Sequence, residues 1–156
     1  MYELDKIVKE MLEQHTGGEI FFDHLDKAIQ TTPIIEQLYN MVEKYNYDVN
    51  IIVSGKFGTF FGNWYTVNTN WADQMIINVN GGLRTGFSID NLDYLSEYIR
   101  NNKFVFLDDS YYSGKTQRAV RNEIDRLGGR LVNTFVIYDG SLNKSEDVKS
   151  LYRYYQ

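Results

Sequence analysis

The chain of 156 residues falls in the single-domain range, and its 43% hydrophobic content is enough to bury one core. With 24% charged residues, 15% aromatics and a single proline, it lacks the composition of a disordered chain. The 16 Lys and Arg against 21 Asp and Glu leave a net charge of −5, which argues against a nucleic-acid or anionic-membrane surface, so an anionic ligand needs a local site.

The sequence has no cysteine, which excludes disulfides, thiolate catalysis and sulfur-ligated zinc or iron. No apolar run is long enough to span a bilayer, and the N-terminal Met1-Tyr2-Glu3-Leu4-Asp5 lacks the basic start and apolar stretch of a signal peptide. A soluble, cytoplasmic protein is expected.

Leu4, Ile7, Val8, Met11 and Leu12 recur at helical spacing until Gly17-Gly18 stops the pattern. Glu19 to Gln30 fits either a short strand at Ile20-Phe21-Phe22 or a helix carrying Leu25 and Ile29. Thr32-Pro33, a capping hydroxyl followed by proline at the first helical position, opens a helix with Ile35, Leu38, Met41, Val42 and Tyr45 as its apolar stripe. Val49 to Ser54 reads as a strand ending at Gly55, and Gln74 to Val79 as another ending at Gly81-Gly82. Between them Asn63 to Thr69, rich in Trp, Tyr, Val and Thr, suggests a further strand, with Trp64 and Trp71 flanking an interface hairpin or a substrate lid. Asp90 caps a helix through Arg100 with Leu92, Leu95 and Ile99 inward.

Lys103 to Leu107 is a near-continuous apolar strand, which suggests burial on both faces of a parallel sheet, and it ends at Asp108 and Asp109. Thr116 to Leu127 follows as a helix with Ala119, Val120, Ile124 and Leu127 inward; Gly128-Gly129 stops it, and Val132 to Tyr138 is the next strand. Strands alternating with helices from Val49 to Tyr138 imply an α/β sheet with its ligand crevice at the carboxyl ends of the strands. One domain over residues 1–156 is expected, with a helical segment at 1–48 and the α/β core at 49–140.

The chemistry concentrates in Phe104 to Thr116, a buried strand, two acids, and the turn Ser110-Tyr111-Tyr112-Ser113-Gly114-Lys115-Thr116 opening a helix. Unpaired N–H groups at a helix N-terminus carry partial positive charge and bind phosphate, and Gly114 allows close approach of the backbone. The hydroxyls of Ser113 and Thr116 add donors. Adjacent carboxylates accept hydrogen bonds from neighbouring sugar hydroxyls or hold an oxygen-seeking cation such as Mg²⁺. These parts together describe a cradle for ribose 5-phosphate. Gly114-Lys115-Thr116 is not a nucleotide P-loop, because Asp109 stands where that motif requires its first glycine.

Four apolar residues, two acids, three variable positions and then Ser-Gly-Lys-Thr resemble the phosphoribosyl-pyrophosphate (PRPP) signature of the type I phosphoribosyltransferases. The resemblance implies a three-layer parallel-sheet fold with an N-terminal hood. It implies ribose contacts from Asp108 and Asp109, which also hold Mg²⁺ directly or through ribose or water, and a 5-phosphate loop of Ser110, Ser113, Gly114, Lys115 and Thr116. Upstream, Gly18 to Asp23, Pro33, a helix, and Asp48 to Gly55 resemble the layout of orotate phosphoribosyltransferases. By position this implies Phe21 and Phe22 for base stacking and Gly55, Lys56 and Gly58 for pyrophosphate. Arg84 is the only basic residue in the glycine-bounded stretch Asn80 to Gly86, which corresponds to the loop that closes over pyrophosphate in that family. The implied reaction displaces pyrophosphate from C1 of PRPP with a nucleobase, in a homodimer, with a nucleoside monophosphate as product. The alternative is a non-catalytic PRPP or nucleotide sensor that keeps the cradle. His15 and His24 lie too far apart for a helix-face metal pair and are expected in structural or surface roles.

Overall fold

The structure, a computed structural model, describes residues 34–45, 50–69, 76–79 and 92–153. Its helices are α1 (Ile34–Lys44), α2 (Gly55–Asn68), α3 (Ser96–Ile99, entered by a 3-10 turn at Asp93–Leu95) and α4 (Lys115–Arg126). Its strands are β1 (Asn50–Ser54), β2 (Ile76–Val79), β3 (Lys103–Tyr111), β4 (Arg130–Asp139) and β5 (Val148–Arg153). All neighbouring strands pair in parallel, in the order β2-β1-β3-β4-β5.

Strand alternation divides the core in two. Val105 and Leu107 of β3 join Ile51 and Val53 of β1 under Leu38 and Val42 of α1 and Phe57, Phe61 and Tyr65 of α2. Phe104 and Phe106, offset by one residue, pack with Ile52 on the opposite face under Ile99 of α3 and Val120 and Ile124 of α4. A parallel sheet covered on both faces must be apolar on both, which accounts for the unbroken Phe104-Val105-Phe106-Leu107 run. The expected three-layer α/β architecture is the one observed.

Several elements differ from the sequence expectation. Asn63 to Thr69 forms no strand; all but Thr69 belong to α2, because Phe57, Phe61 and Tyr65 recur every fourth residue and are buried together. Local β preference yields there to the tertiary pattern. Trp64, read from the sequence as flanking either an interface hairpin or a substrate lid, lies in the same helix with its ring edge-on to Tyr39 at 5.5 Å; Trp71 lies outside the described residues. Of the helix expected from Asp90 to Arg100, the described part from Leu92 is a 3-10 turn followed by the single turn of α3, with Leu92 and Ile99 buried as expected, while Asp90 lies outside the described residues. β3 runs on past both aspartates to Tyr111, and α4 starts at Lys115.

β5 is an additional strand, so the sheet extends beyond the expected core boundary at residue 140 to Arg153. The connection 140–147 is shorter than the roughly dozen residues a parallel crossover usually takes. Side chains fasten both its ends. Arg121 of α4 binds Asp147 at 2.7 Å, and buried Gln117 donates to Thr134 and Asp147. At the other end Arg153 binds Asp139 at 2.6 Å. Among the described residues no helix is long and apolar enough to cross a membrane.

Candidate functional site

β1 leads outward to β2 through α2 on one face, while β3 leads the other way to β4 through α4 on the opposite face. The strand order therefore reverses between β1 and β3, and at such a switch point the carboxyl ends of the strands open into a crevice. Register pairs Val53 with Leu107, so the residues after them, Ser54-Gly55-Lys56 on one strand and Asp108-Asp109 on its neighbour, reach the same end of the sheet.

Each strand turns almost directly into a helix there. After β1, Gly55 turns the chain at φ +60° and α2 begins at once; after β3, Tyr112 to Gly114 form a bend and Gly114 takes φ +77° as the residue before α4. That left-handed conformation is costly for any residue with a Cβ. Space at Gly114 is also short, since a Cβ would lie 2.6 Å from the Tyr111 hydroxyl. Two helix N-termini thus flank one crevice. Neither has an acidic residue in its first turn, and they carry the exposed lysines Lys56 and Lys115. Cations at the positive end of a helix oppose its dipole, an arrangement that favours an anion between them.

The acid pair is half-buried at this end of β3. Continued alternation directs Asp108 to the α4 side and Asp109 to the α2 side. The Asp109 N–H donates to Asp108 Oδ1 at 2.8 Å, and the Ser110 hydroxyl donates to Asp109 Oδ1 at 3.2 Å. Burial, and next the charge of Asp109, hold the Asp108 carboxyl well above the usual carboxylate range. A carboxyl kept neutral offers one donor and one acceptor, whereas an ionised one only accepts.

Beyond the acids, Ser113 and Lys115 are exposed, Thr116 is half-buried, and Ser113 Oγ accepts weakly from the Lys115 N–H at 3.4 Å. Tyr112 turns inward, its ring edge-on to Tyr138 at 5.7 Å, and burial pushes its hydroxyl pKa upward. Gly58 sits in α2 rather than in a loop, where a Cβ would meet Asn78 Oδ1 at 2.7 Å and Val53 Cγ2 at 3.0 Å. Close packing of α2 on the sheet accounts for that glycine. Phe21, Phe22, Arg84, His15 and His24 lie outside the described residues.

Sequence reasoning missed Arg118. Its Nη1 donates to the Ser113 carbonyl at 2.9 Å, so it folds back over the loop from the first turn of α4. The signal was present as a second cation three residues after Lys115, on the helix end where cations are least favoured. Among the described residues no group of three His, Cys, Asp or Glu is placed to hold a metal. The oxygens of Asp108 and Asp109 fit Mg²⁺ only as partial ligands, completed by oxygens of a bound substrate or water.

A five-stranded parallel sheet with helices on both faces is the fold of the type I phosphoribosyltransferases, and solved structures of that class superpose on this chain. The phosphoribosyltransferase from Corynebacterium diphtheriae is similar at 11% identity, TM-score 0.56, over 98% of this chain and 96% of that one. Adenine phosphoribosyltransferase from Thermoanaerobacter pseudethanolicus is similar at 18% identity, TM-score 0.54, over 81% of each chain. A hypothetical protein from Neisseria gonorrhoeae with bound ppGpp is similar at 12% identity, TM-score 0.51, over 83% of this chain and 77% of that one. At these identities the likeness is one of fold. No family model matches the chain, and no curated protein matches it in sequence.

Proposed function

We propose that the chain is a phosphoribosyltransferase that displaces pyrophosphate from PRPP with a nucleobase. The observation that carries this reading is the convergence of an acid pair and two helix N-termini at one topological switch point, between β1 and β3. The fold supports the general reaction, and neighbours named for adenine recognition sit beside the orotate-like layout of the sequence, so the base is left to experiment.

In this reading the α4 N-terminus, with Ser110, Ser113, Gly114, Lys115 and Thr116, holds the 5-phosphate, and Arg118 braces the loop from behind. Asp108 and Asp109 hold the ribose hydroxyls, which donate to their carboxyl oxygens. Gly55, Lys56 and the first N–H groups of α2, with Gly58 packing that helix in place, face the leaving pyrophosphate. The family resemblance carries Arg84 to the pyrophosphate and Phe21 and Phe22 to the base. The C1–O bond breaks with its electron pair leaving on pyrophosphate, a ring nitrogen forms the C1–N bond, and that nitrogen passes its proton to solvent water. Fixed positive dipoles and cations at the departing charge lower the barrier more than they bind the ground state. Asp108 and Asp109 would hold a substrate-borne Mg²⁺ directly or through ribose or water, and the ion would supply neutralising charge to the leaving pyrophosphate. A homodimer would let a second copy complete the hood over the base.

The second reading is a PRPP or nucleotide sensor without turnover, favoured by the neighbour with bound ppGpp, a nucleotide. Pyrophosphate release from PRPP with Mg²⁺ and a panel of orotate, uracil, purines and nicotinamide distinguishes the two. Release with one base, reduced about a hundredfold by Arg84→Ala, is expected for the enzyme. Binding of PRPP with no release under any base would replace the enzyme by the sensor.

A further inference from the structure

The last rung of the sheet on its carboxyl side joins three strands: Tyr111 of β3 pairs with Asp139 of β4, and Asp139 with Arg153 of β5. An ion pair buried at that rung is unusual in its environment. The Asp139 side chain is 2% exposed and that of Arg153 16%, whereas Arg121 and Asp147 are 33% and 40% exposed. Every strong acceptor at the rung is used. Asp139 Oδ2 receives Arg153 Nη1 at 2.6 Å, while Asp139 Oδ1 receives the Ser141 N–H at 2.9 Å and its hydroxyl at 2.6 Å. Arg153 Nη2 reaches on to the Leu142 carbonyl at 3.3 Å.

The residue between Asp139 and Ser141 touches the candidate site. The Gly140 N–H donates to the Tyr111 carbonyl at 2.9 Å, and the hydroxyl of Tyr111 lies 2.6 Å from where a Cβ on Gly114 would be. A short path therefore runs from Arg153 through Asp139 and Ser141 to Gly140, then to Tyr111 beside Gly114, the residue before α4. Replacing a buried ion pair by apolar groups is often neutral or stabilising, so stability alone is a weak reason for one here.

We propose that Asp139, Ser141 and Arg153 are positioning residues for the phosphate loop, fixing Tyr111 and through it the backbone at Gly114. The proposal rests on the phosphoribosyl reading of that loop. It assigns the β5 edge, remote from the acid pair in sequence, a part in ligand affinity.

The test compares the parent with Asp139→Asn/Arg153→Met and with Arg153→Lys. Three quantities are measured: melting temperature, calorimetric affinity for PRPP with Mg²⁺, and hydrogen exchange of amides 111–116 without ligand. The double variant is expected to stay folded, to bind PRPP about tenfold more weakly, and to exchange the loop amides faster, a coupling of the size such networks carry. Arg153→Lys, which keeps the charge and loses the fork, should fall between, and it carries the test if the double variant does not fold. A folded variant with the parent's loop exchange, or with faster exchange and the parent's affinity, overturns the proposal. If the parent itself does not bind PRPP, the phosphoribosyl reading fails and loop exchange alone decides whether the rung positions the loop.

Discussion

Gly114 carries two demands at once, a left-handed backbone and room for the Tyr111 hydroxyl. Gly114→Ala should lower stability by about 1–2 kcal/mol from the backbone alone, read by urea denaturation, and should weaken PRPP binding beyond that; a variant as stable as the parent would contradict the conformational assignment. Asp108 makes a different prediction. Its carboxyl ionises at higher pH in the folded chain than in the unfolded one. Its contribution to stability is therefore fully present below the ordinary aspartate pKa of about 3.9 and is lost as pH rises through the folded value. Asp108→Asn should raise the melting temperature at pH 7 while removing ligand affinity, and the gain should vanish below about pH 4, where both states of the parent are protonated. Melting curves of parent and variant across pH check this, and a lower melting temperature at pH 7 would reassign Asp108 to a helix-capping or core role.

At the scale of elements, α2 joins the core to the site. Phe61 is fully buried and stacks on Phe57 and Tyr65 at ring-centroid distances of 6.0 and 5.9 Å. Phe61→Ala should cost about 3–5 kcal/mol, against a much smaller loss for Tyr45→Ala, a residue that is 46% exposed; comparable losses in denaturation midpoints would contradict the packing described. This helix also shows where sequence reading fails. Trp, Tyr, Val and Thr between Asn63 and Thr69 favour strands one by one, whereas the fourfold spacing of Phe57, Phe61 and Tyr65 is visible only across the whole segment. β5 escaped notice because it is an edge strand, with Lys149, Ser150 and Arg153 interrupting any apolar run. β1, β3 and β4 were legible because burial on both faces leaves a near-continuous apolar run, and α4 because Val120 and Ile124 recur at helical spacing between glycines. In the candidate site the acid pair and Gly114 were legible as residue types at fixed spacing. Arg118 and the Asp139–Arg153 rung were not, since their contacts exist only after the chain returns on itself.

For the whole molecule, topology explains why these residues meet. Helices leaving β1 and β3 on opposite faces place two helix N-termini about the switch point, and the acid pair lies at the same end of β3. A ligand bound there ties together α2, β3 and α4, so PRPP with Mg²⁺ at a hundred times its dissociation constant should add about 2.7 kcal/mol of stability, seen as a higher melting temperature. The most direct measurement is calorimetric titration of PRPP, with Mg²⁺ present, into the parent and into Asp108→Asn/Asp109→Asn. The site described here predicts saturable binding to one site per chain in the parent and none in the folded double variant. Equal affinity in the two proteins, or no binding to a folded parent at millimolar PRPP, would contradict it.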